Sequence, residues 1–128
     1  MPDLLFVMSG GAIGAGARFG IGQLVAIGQL ARGPAFPWAT LTVNLTGALL
    51  MGLLTGALQR QNALGGSAWL FLGVGVLGGF TTFSAFSLDA VTLMGRGAYG
   101  AALAYVATSV LGALALFAGG LVLTKAAG

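Results

Sequence analysis

Apolar residues fill four long stretches of the sequence, and short polar or Gly- and Pro-containing segments separate them. A helix needs about 20 apolar residues to cross the hydrocarbon core of a bilayer. Because each stretch is of that order, the pattern predicts an all-α membrane protein with four transmembrane helices. The predicted helices cover approximately residues 4–27, 36–58, 69–93 and 99–123.

Turn-forming residues occupy the gaps between these stretches. Arg-Gly-Pro stands at residues 32–34, Gly-Gly at residues 65–66 and Arg-Gly at residues 96–97. Such residues end helices and start turns. No long segment is left over for a second unit, so the pattern predicts a single transmembrane domain over residues 1–128.

Composition supports a location in the membrane. Hydrophobic residues make up 58% of the 128 residues and charged residues only 5%, whereas a typical soluble domain is about 25% charged. So few charges cannot cover the surface of a soluble globule. We therefore expect a multi-pass protein of the cell inner (plasma) membrane.

The same composition excludes several classes of function. The chain has no Cys and no His, so thiolate chemistry, imidazole catalysis and the usual zinc ligands are absent. Since no nucleophile and base can be paired, we predict that the protein is not an enzyme. The net charge is +3, but the cations stand far apart, unlike the clustered Lys and Arg of a nucleic-acid-binding face.

Charged residues near the ends of the stretches are balanced between the two sides of the membrane. With four spans, Arg60 and Lys125 fall on one side, and Arg32 and Arg96 fall on the other. The positive-inside rule then has no preferred direction. Two copies could insert in opposite directions and pair, which predicts an antiparallel, dual-topology homodimer. Alternatively, a weak bias such as Asp3 selects one orientation.

Glycine occurs 24 times and is often spaced four residues apart. This spacing lets helix backbones approach closely. Because Gly costs about 1 kcal/mol relative to Ala within a helix, close packing against protein is the expected compensation. The spacing occurs at residues 10 and 14, 16 and 20, 52 and 56, and 75 and 79.

The third stretch contains the sequence GGFTTFSAFS at residues 78–87. Two Gly followed by two Thr lower helix propensity where the bilayer is thickest, which predicts a helix broken near its centre. Carbonyls freed at a break must be buried and find a partner. If two copies met there, their carbonyl oxygens could converge on one dehydrated hard cation.

Aromatic side chains recur through this segment. Phe80, Phe83 and Phe86 stand three residues apart, which predicts that they share one helix face. The edge of an aromatic ring is positive and can meet an anion without the strong trapping of a full charge. The alternative interpretation is packing in the protein core.

Neutral hydrogen-bonding side chains occur in the second and fourth stretches. Asn44 lies near the middle of an apolar helix, with Thr40 one turn before it. The Asn44 amide would either donate to an anion in a pore or bind a neighbouring helix. The fourth stretch is predicted to place Tyr105, Thr108, Ser109 and Gly112 on one face, although membrane Ser and Thr usually bind their own helix.

Arg18 lies within the first stretch. A charged group inside a bilayer is costly and must reach water, carbonyls or a carboxylate. Arg18 would therefore either raise the anion concentration in a wet vestibule or link helix ends or Asp89. We favour the structural role.

The segment at residues 78–87 resembles the signature of the Fluc (CrcB) family of fluoride channels. Residues 40–47, which read TLTVNLTG, are similar to that family's second-helix motif, and residues 14–19, GAGARF, are similar to its first-helix motif. The resemblance covers all four spans. It implies a fluoride-selective passive ion channel that exports fluoride, lowers its cytoplasmic concentration and so confers fluoride resistance.

The resemblance also implies a dual-topology homodimer with two fluoride pores and a central sodium ion. Gly78 and Thr81 would offer backbone oxygens to the sodium ion. Asn44 would donate to fluoride, Phe83 and Phe86 would present ring edges, and a polar track would continue in the fourth helix. The implied pore residues are Asn44, Phe83, Phe86, Tyr105 and Ser109, with Thr40 beside them.

Several positions depart from the family pattern. Ala85 stands where the motif commonly has Thr, and Ala39 and Ala48 stand where Gly and Ser are frequent. Ala113 and Ala115 replace hydroxyls that often extend the polar track. Ala113 and Ala115 place the end of the track in doubt. The other departures leave the main donors intact and could alter the rate or the packing.

Two other functions are consistent with four apolar spans. A proton-coupled small-molecule exporter of dual topology would need a titratable carboxylate, and Asp89 is its candidate. A non-transporting assembly subunit would also use Gly-rich helices. Asp89 lies toward the end of the third stretch and not at the middle of a substrate chamber, which disfavours the exporter. The broken third stretch, with its Thr and Ser hydroxyls, disfavours the assembly subunit.

Overall fold

The computed structural model describes residues 2–29 and 36–127. Within them, four apolar helical stretches are long enough to cross a membrane, and the prediction of four such helices is confirmed. The predicted turn at residues 32–34 lies outside the described residues. In chain order the helices are α1 (Pro2–Gln29), α2 (Trp38–Arg60), α3 (Trp69–Leu77 continuing into Gly78–Phe80), α4 (Phe83–Gly95) and α5 (Tyr99–Ala126).

Glycines bring α1 against α3. A Cβ atom added to Gly10 would collide with the carbonyl of Phe71, and one added to Gly79 would lie 2.6 Å from the Gly11 carbonyl oxygen. No side chain fits at these positions, so the two backbones are in direct contact. The close packing predicted for the pairs at residues 10 and 14 and at residues 75 and 79 is confirmed.

A second close interface joins α2 to α5. A Cβ atom on Gly52 would collide with the Phe117 carbonyl, and one on Gly120 would lie 2.7 Å from the Leu49 carbonyl oxygen. At one end of this pair, Arg60 Nη1 donates to the Thr124 carbonyl at 3.0 Å. The packing predicted for the glycine pair at residues 52 and 56 is therefore confirmed.

The glycine pair on the first helix at residues 16 and 20 behaves differently. A Cβ atom at either position would meet nothing within 4 Å among the described residues. The prediction of close packing at this pair is wrong within one chain, because α1 turns this face outward. The four-residue spacing alone does not reveal which face of a helix meets its neighbour.

The backbone changes form along the third stretch. Trp69–Leu77 has the wider π-helical form and Gly78–Phe80 is α-helical. Thr81 (φ −82°, ψ 157°) and Thr82 (φ −150°, ψ 120°) are then both extended, and α4 begins at the next residue. We refer to Thr81 and Thr82 as the linker. Its backbone groups lie outside the helical hydrogen-bond pattern and need other partners.

The linker separates aromatic residues that were predicted to share a helix face. Phe80 ends α3 and is buried, whereas Phe83 begins α4 and is 72% exposed. The shared face is therefore wrong for Phe80, because the two extended residues turn α4 relative to α3. Phe83 and Phe86 remain together on α4.

The buried core lies between α2, α4 and α5. It is formed around Tyr105, whose side chain is 0% exposed, with Leu41, Ala90, Leu93 and Ala102 packed about it. Many large apolar side chains elsewhere point outward, as expected when lipid or a second protein surrounds the helices. The core therefore holds Tyr105 rigidly beside the segment that follows the linker.

Candidate ion pathway

A groove of about 420 Å³ runs between α2, the linker, α4 and α5. Every described residue that lines it is uncharged. Its polar walls come from Asn44, Thr81, Thr82 and Ser109, and its other walls are apolar. The remaining lining residues are Gly47, Ala48, Met51, Phe83, Phe86, Val110, Ala113, Leu114 and Phe117.

Asn44 lines the groove and also binds the linker. Its Nδ2 donates to the Thr82 carbonyl at 2.9 Å, and the Thr82 backbone N–H donates to its Oδ1 at 2.8 Å. Asn44 was predicted either to donate to an anion or to bind a neighbouring helix, and the structure contains a contact of the second kind. One hydrogen bond of the Nδ2 group is used, so the amide keeps a second N–H.

Aromatic rings extend from the groove into the core. The ring centroids of Phe83 and Phe86 lie 5.4 Å apart with an interplanar angle of 62°, and those of Phe86 and Tyr105 lie 5.3 Å apart. Phe36 meets the Tyr105 ring nearly edge-on, at 5.7 Å and 88°. Such tilted pairs present positive ring edges to their neighbours.

The Tyr105 hydroxyl is held at the inner end of this ring series. It donates to Asp89 Oδ2 at 3.1 Å, and the Thr40 side chain lies beside it. Asp89 also lines a smaller recess of about 190 Å³ with Phe36 and Arg96. Tyr105 therefore contacts a ring of the groove on one side and residues of the recess on the other.

Ser109 is the polar side chain of the groove that is left without a partner. It is 7% exposed, and its Oγ has no hydrogen-bond partner within the described part of the chain. Leaving a buried hydroxyl unpaired costs about 1–3 kcal/mol. The preceding Thr108 is exposed, so the predicted common face holds for Tyr105 and Ser109 but is wrong for Thr108.

Most other hydroxyls of the helices follow the expected local pattern. Thr55 donates to the Met51 carbonyl at 2.6 Å, and Ser87 donates to the Phe83 carbonyl at 2.9 Å. These bonds satisfy the hydroxyl within its own helix. Ser109 differs from them, because its hydroxyl has no such bond among the described residues and remains free to bind a small molecule or ion in the groove.

The residues at the end of α3 and in the linker offer backbone carbonyl oxygens. Arg18 Nε donates to the Gly79 carbonyl at 3.2 Å, so its contact is with the end of α3. Asp89, the other partner considered for Arg18, instead accepts from Tyr105. Gly78 is exposed, and its carbonyl and that of Thr81 belong to the hard, neutral oxygen ligands that suit an alkali or alkaline-earth cation.

The fold thus gathers most of the predicted site residues. Asn44, Phe83, Phe86 and Ser109 line one groove together with Thr81, and Tyr105 and Thr40 lie behind it. Sequence reasoning missed Phe36 and the backbone of Thr82. The signal for Thr82 was present, because a buried amide needs a partner and a helix interruption leaves backbone groups unpaired.

The four apolar helices define a multi-pass membrane protein, and the described residues that line its groove are uncharged. The family model described as "CrcB-like protein, Camphor Resistance (CrcB)" matches residues 5–121. The chain belongs to this CrcB family, which confirms the resemblance found in the sequence. The chain is a multi-pass protein of the bacterial inner membrane.

Curated relatives match the chain over nearly its full length. A protein of Sphingopyxis alaskensis is 51% identical over 126 residues, which cover 98% of this chain and 97% of the relative. One from Chelativorans sp. is 53% identical over 120 residues, with 93% and 94% covered. One from Caulobacter vibrioides is 48% identical over 128 residues, with 98% of each covered. All three carry the name "Fluoride-specific ion channel FluC".

Proposed function

We propose that this protein is a fluoride-selective passive ion channel that lets fluoride leave the cytoplasm down its gradient and lowers its concentration there. The observation that carries the proposal is the groove, in which an unpartnered buried hydroxyl, an amide and two ring edges meet without any lining charge. The name shared by relatives about 50% identical to the chain supports it. A channel is not an enzyme class.

The chemistry of the groove suits a small, strongly hydrated anion. Fluoride enters only if protein donors replace the water that it loses. The Ser109 hydroxyl and the second N–H of Asn44 are such donors, and the edges of Phe83 and Phe86 add weaker positive partners. Because none of them carries a full charge, the ion is not held too tightly to leave.

The polar series continues beyond the groove. Tyr105 packs against Phe86 on the side away from the groove, and Thr40 lies beside Tyr105. In this proposal their hydroxyls donate hydrogen bonds to the ion after it leaves Ser109. The Tyr105 hydroxyl donates a hydrogen bond to Asp89 Oδ2, so an anion that displaces this carboxylate would accept that hydrogen bond instead. Arg18 has a structural role, because its guanidinium contacts the Gly79 carbonyl.

The groove of one chain is open on one side, as the 72% exposure of Phe83 indicates. In our proposal a second copy of opposite orientation closes it, giving an antiparallel, dual-topology homodimer with two pores. The balance of Arg60 and Lys125 against Arg32 and Arg96 supports this arrangement.

At the centre of such a dimer, the linker would act as the break of the third helix. The Gly78 and Thr81 carbonyls of two copies would hold a structural sodium ion, which would supply positive charge between otherwise repelling oxygens. The fit rests on neutral, hard donors and on the exposure of Gly78. One chain alone offers too few ligands for this ion.

Ion release from vesicles tests the proposed activity. Purified protein is placed in liposomes loaded with potassium fluoride, valinomycin is added, and a fluoride electrode records release. We expect release from protein-containing vesicles, retention by empty vesicles, and retention of chloride by both. Retention of fluoride in the presence of protein would refute the channel.

The same assay separates the channel from the exporter that uses Asp89. A passive channel releases fluoride without an imposed pH gradient and keeps this ability in Asp89→Asn, although its rate can change because Tyr105 loses a charged partner. Release that requires a proton gradient and disappears in Asp89→Asn would favour the exporter instead.

Topology can be tested with the chain itself, because it contains no Cys. A single Cys introduced at the exposed Ser67, just before α3, is treated with a membrane-impermeant maleimide, added either to intact cells or to permeabilised cells. Dual topology predicts that about half of the molecules react from one side alone. Complete labelling, or none, from the outside would refute it.

A further inference from the structure

The Asn44 amide binds both backbone groups of a single residue, Thr82. We propose that Asn44 is a positioning residue that holds the linker extended and draws the Thr82 N–H away from the Gly78 carbonyl. That carbonyl is thereby released for a cation. The binding of a cation by the Gly78 carbonyl rests on the proposed function, whereas the hydrogen bonds between Asn44 and the linker do not.

Accounting for backbone hydrogen bonds locates the point where α3 ends. In a continuing α-helix each N–H donates to the carbonyl four residues earlier. The Thr81 N–H still does so, to Leu77 at 3.0 Å. The next N–H, of Thr82, would reach Gly78 but donates to Asn44 Oδ1 at 2.8 Å. The helix thus ends at the N–H that Asn44 captures.

A primary amide is the side chain suited to this task. It carries a donor and an acceptor side by side, as a neighbouring β-strand would, whereas a carboxylate only accepts and a hydroxyl offers one oxygen. Within an apolar span, neither Thr82 backbone group can turn to lipid for a partner. One Asn side chain therefore satisfies both groups.

The approach of α2 to the linker makes the contact possible. A Cβ atom added to Gly47, three residues after Asn44, would collide with Thr81 Cγ2 and lie 3.3 Å from Phe80 Cδ2. Only Gly at this position lets α2 come so near. The Asn44 contact and the missing side chain at Gly47 are independent observations that support one arrangement.

Side chains of the linker satisfy the neighbouring groups. Thr81 Oγ1 donates to the Leu77 carbonyl at 3.0 Å, and Thr82 Oγ1 accepts from the Ala85 N–H at 3.2 Å and caps α4. The Thr82 backbone pair is the part left to Asn44. Since Phe83 follows directly, fixing Thr82 also fixes where α4 starts and where the first ring of the groove lies.

Amide hydrogen exchange measures the grip of Asn44 directly. Protein labelled with ¹⁵N-threonine is transferred to D₂O in nanodiscs, and the Thr82 signal is followed by NMR. We expect slow exchange in the wild type and exchange at least about tenfold faster in Asn44→Ala, the size expected for the loss of these hydrogen bonds. Ser109→Ala is the matched control, since it changes the same groove without touching the linker and leaves Thr82 exchange unaltered.

Two further measurements keep the inference open to refutation if Asn44→Ala does not fold. Asn44→Asp has the same shape but lacks the donor to the Thr82 carbonyl, and we expect faster Thr82 exchange in it as well. In the wild type alone, exchange of the Thr82 amide as fast as that of an unprotected backbone amide would overturn the proposal. Loss of fluoride release in both Asn44 variants with unchanged Thr82 exchange would overturn it too, because Asn44 would then act on the ion only.

The released carbonyl is tested with sodium chloride as the probe. The ¹³C shift of the Gly78 carbonyl should move when sodium replaces N-methylglucamine in the wild type, and this movement should be lost in Asn44→Ala. An unmoved wild-type signal, or equal movement in the variant, would overturn the link to the cation. A wild type that fails to release fluoride would instead refute the channel and leave the exchange result standing.

Discussion

The α2–α5 interface and the linker at Thr81 and Thr82 meet the same constraint in opposite ways. At the interface, each helix satisfies its own backbone, and glycines such as Gly52 and Gly120 bring the two backbones into contact. At the linker, the backbone leaves the helix and a side chain from another helix satisfies it. Close van der Waals packing stabilises the α2–α5 interface, whereas side-chain hydrogen bonds stabilise the linker.

The two kinds of contact suit two different roles, a rigid scaffold and a binding site. Contacts between glycines tolerate no added atom but leave no polar group unpaired, so they suit a rigid frame. A linker held by hydrogen bonds exposes carbonyls and positions rings at a fixed place inside the membrane, which a continuous helix cannot do. The α2–α5 pair therefore forms the frame, and in the proposed channel the linker and groove form the part that meets an ion.

The largest effect should come from adding one methyl group to the frame. In Gly120→Ala the new Cβ would lie 2.7 Å from the Leu49 carbonyl oxygen and 2.9 Å from the Leu53 nitrogen, and we expect a loss of stability of about 3 kcal/mol from overpacking. Thermal unfolding followed by size-exclusion chromatography measures it. The matched control is the neighbouring Gly119→Ala, whose Cβ would meet nothing within 4 Å. Equal stability of the two variants would contradict an interface held by shape.

The next effect concerns the rings of the groove. Phe86→Ile keeps an apolar side chain but removes the ring edge and its contact with Tyr105, and we expect fluoride release to slow by about thirtyfold, equivalent to about 2 kcal/mol. The exposed Phe6→Ile in α1 is the control and should conduct normally. Wild-type rates in Phe86→Ile would show that Phe86 is a core residue only.

A smaller effect should separate conduction from stability at one hydroxyl. In Ser109→Ala, release should fall about tenfold because a donor to the ion is lost. Stability should stay the same or rise, since the Ser109 hydroxyl has no partner in the described part of the chain. The adjacent, exposed Thr108→Ala serves as the control for both measurements. A loss of stability with unchanged release would mean that Ser109 serves the fold.

The smallest effect concerns the cap of α4. Thr82→Val keeps a β-branched side chain that suits the extended backbone but removes the hydroxyl that accepts from Ala85, and we expect a loss of about 1 kcal/mol in stability. Thr82→Ser retains the hydroxyl and should recover most of it. If both variants unfold at the same temperature, the cap of α4 contributes nothing to stability.

Much of the site could be predicted because its chemistry is concentrated in one short segment. Residues 78–87 and Asn44 stand out as polar, small or aromatic groups within apolar spans. A polar group inside a membrane is costly, so it usually has a partner or a function. Their roles toward an ion remain predictions. Phe80 was placed on the wrong face because the helical spacing was extended through the linker, where the helix is interrupted. Thr108 was placed on the wrong face because helical spacing alone does not distinguish two neighbouring faces of one helix.

The sequence by itself determined that this protein lies in a membrane, crosses it four times and contains neither thiol nor imidazole chemistry. These properties follow from hydrophobicity and composition summed along short stretches, so no long-range contact is needed to read them. The tertiary structure alone decided which glycines meet a neighbour, that Ser109 has no hydrogen-bond partner among the described residues, and that Asn44 binds Thr82, 38 residues away in the chain. Such pairings depend on how helices rotate and approach one another, and a buried polar group takes whichever partner that geometry brings within reach.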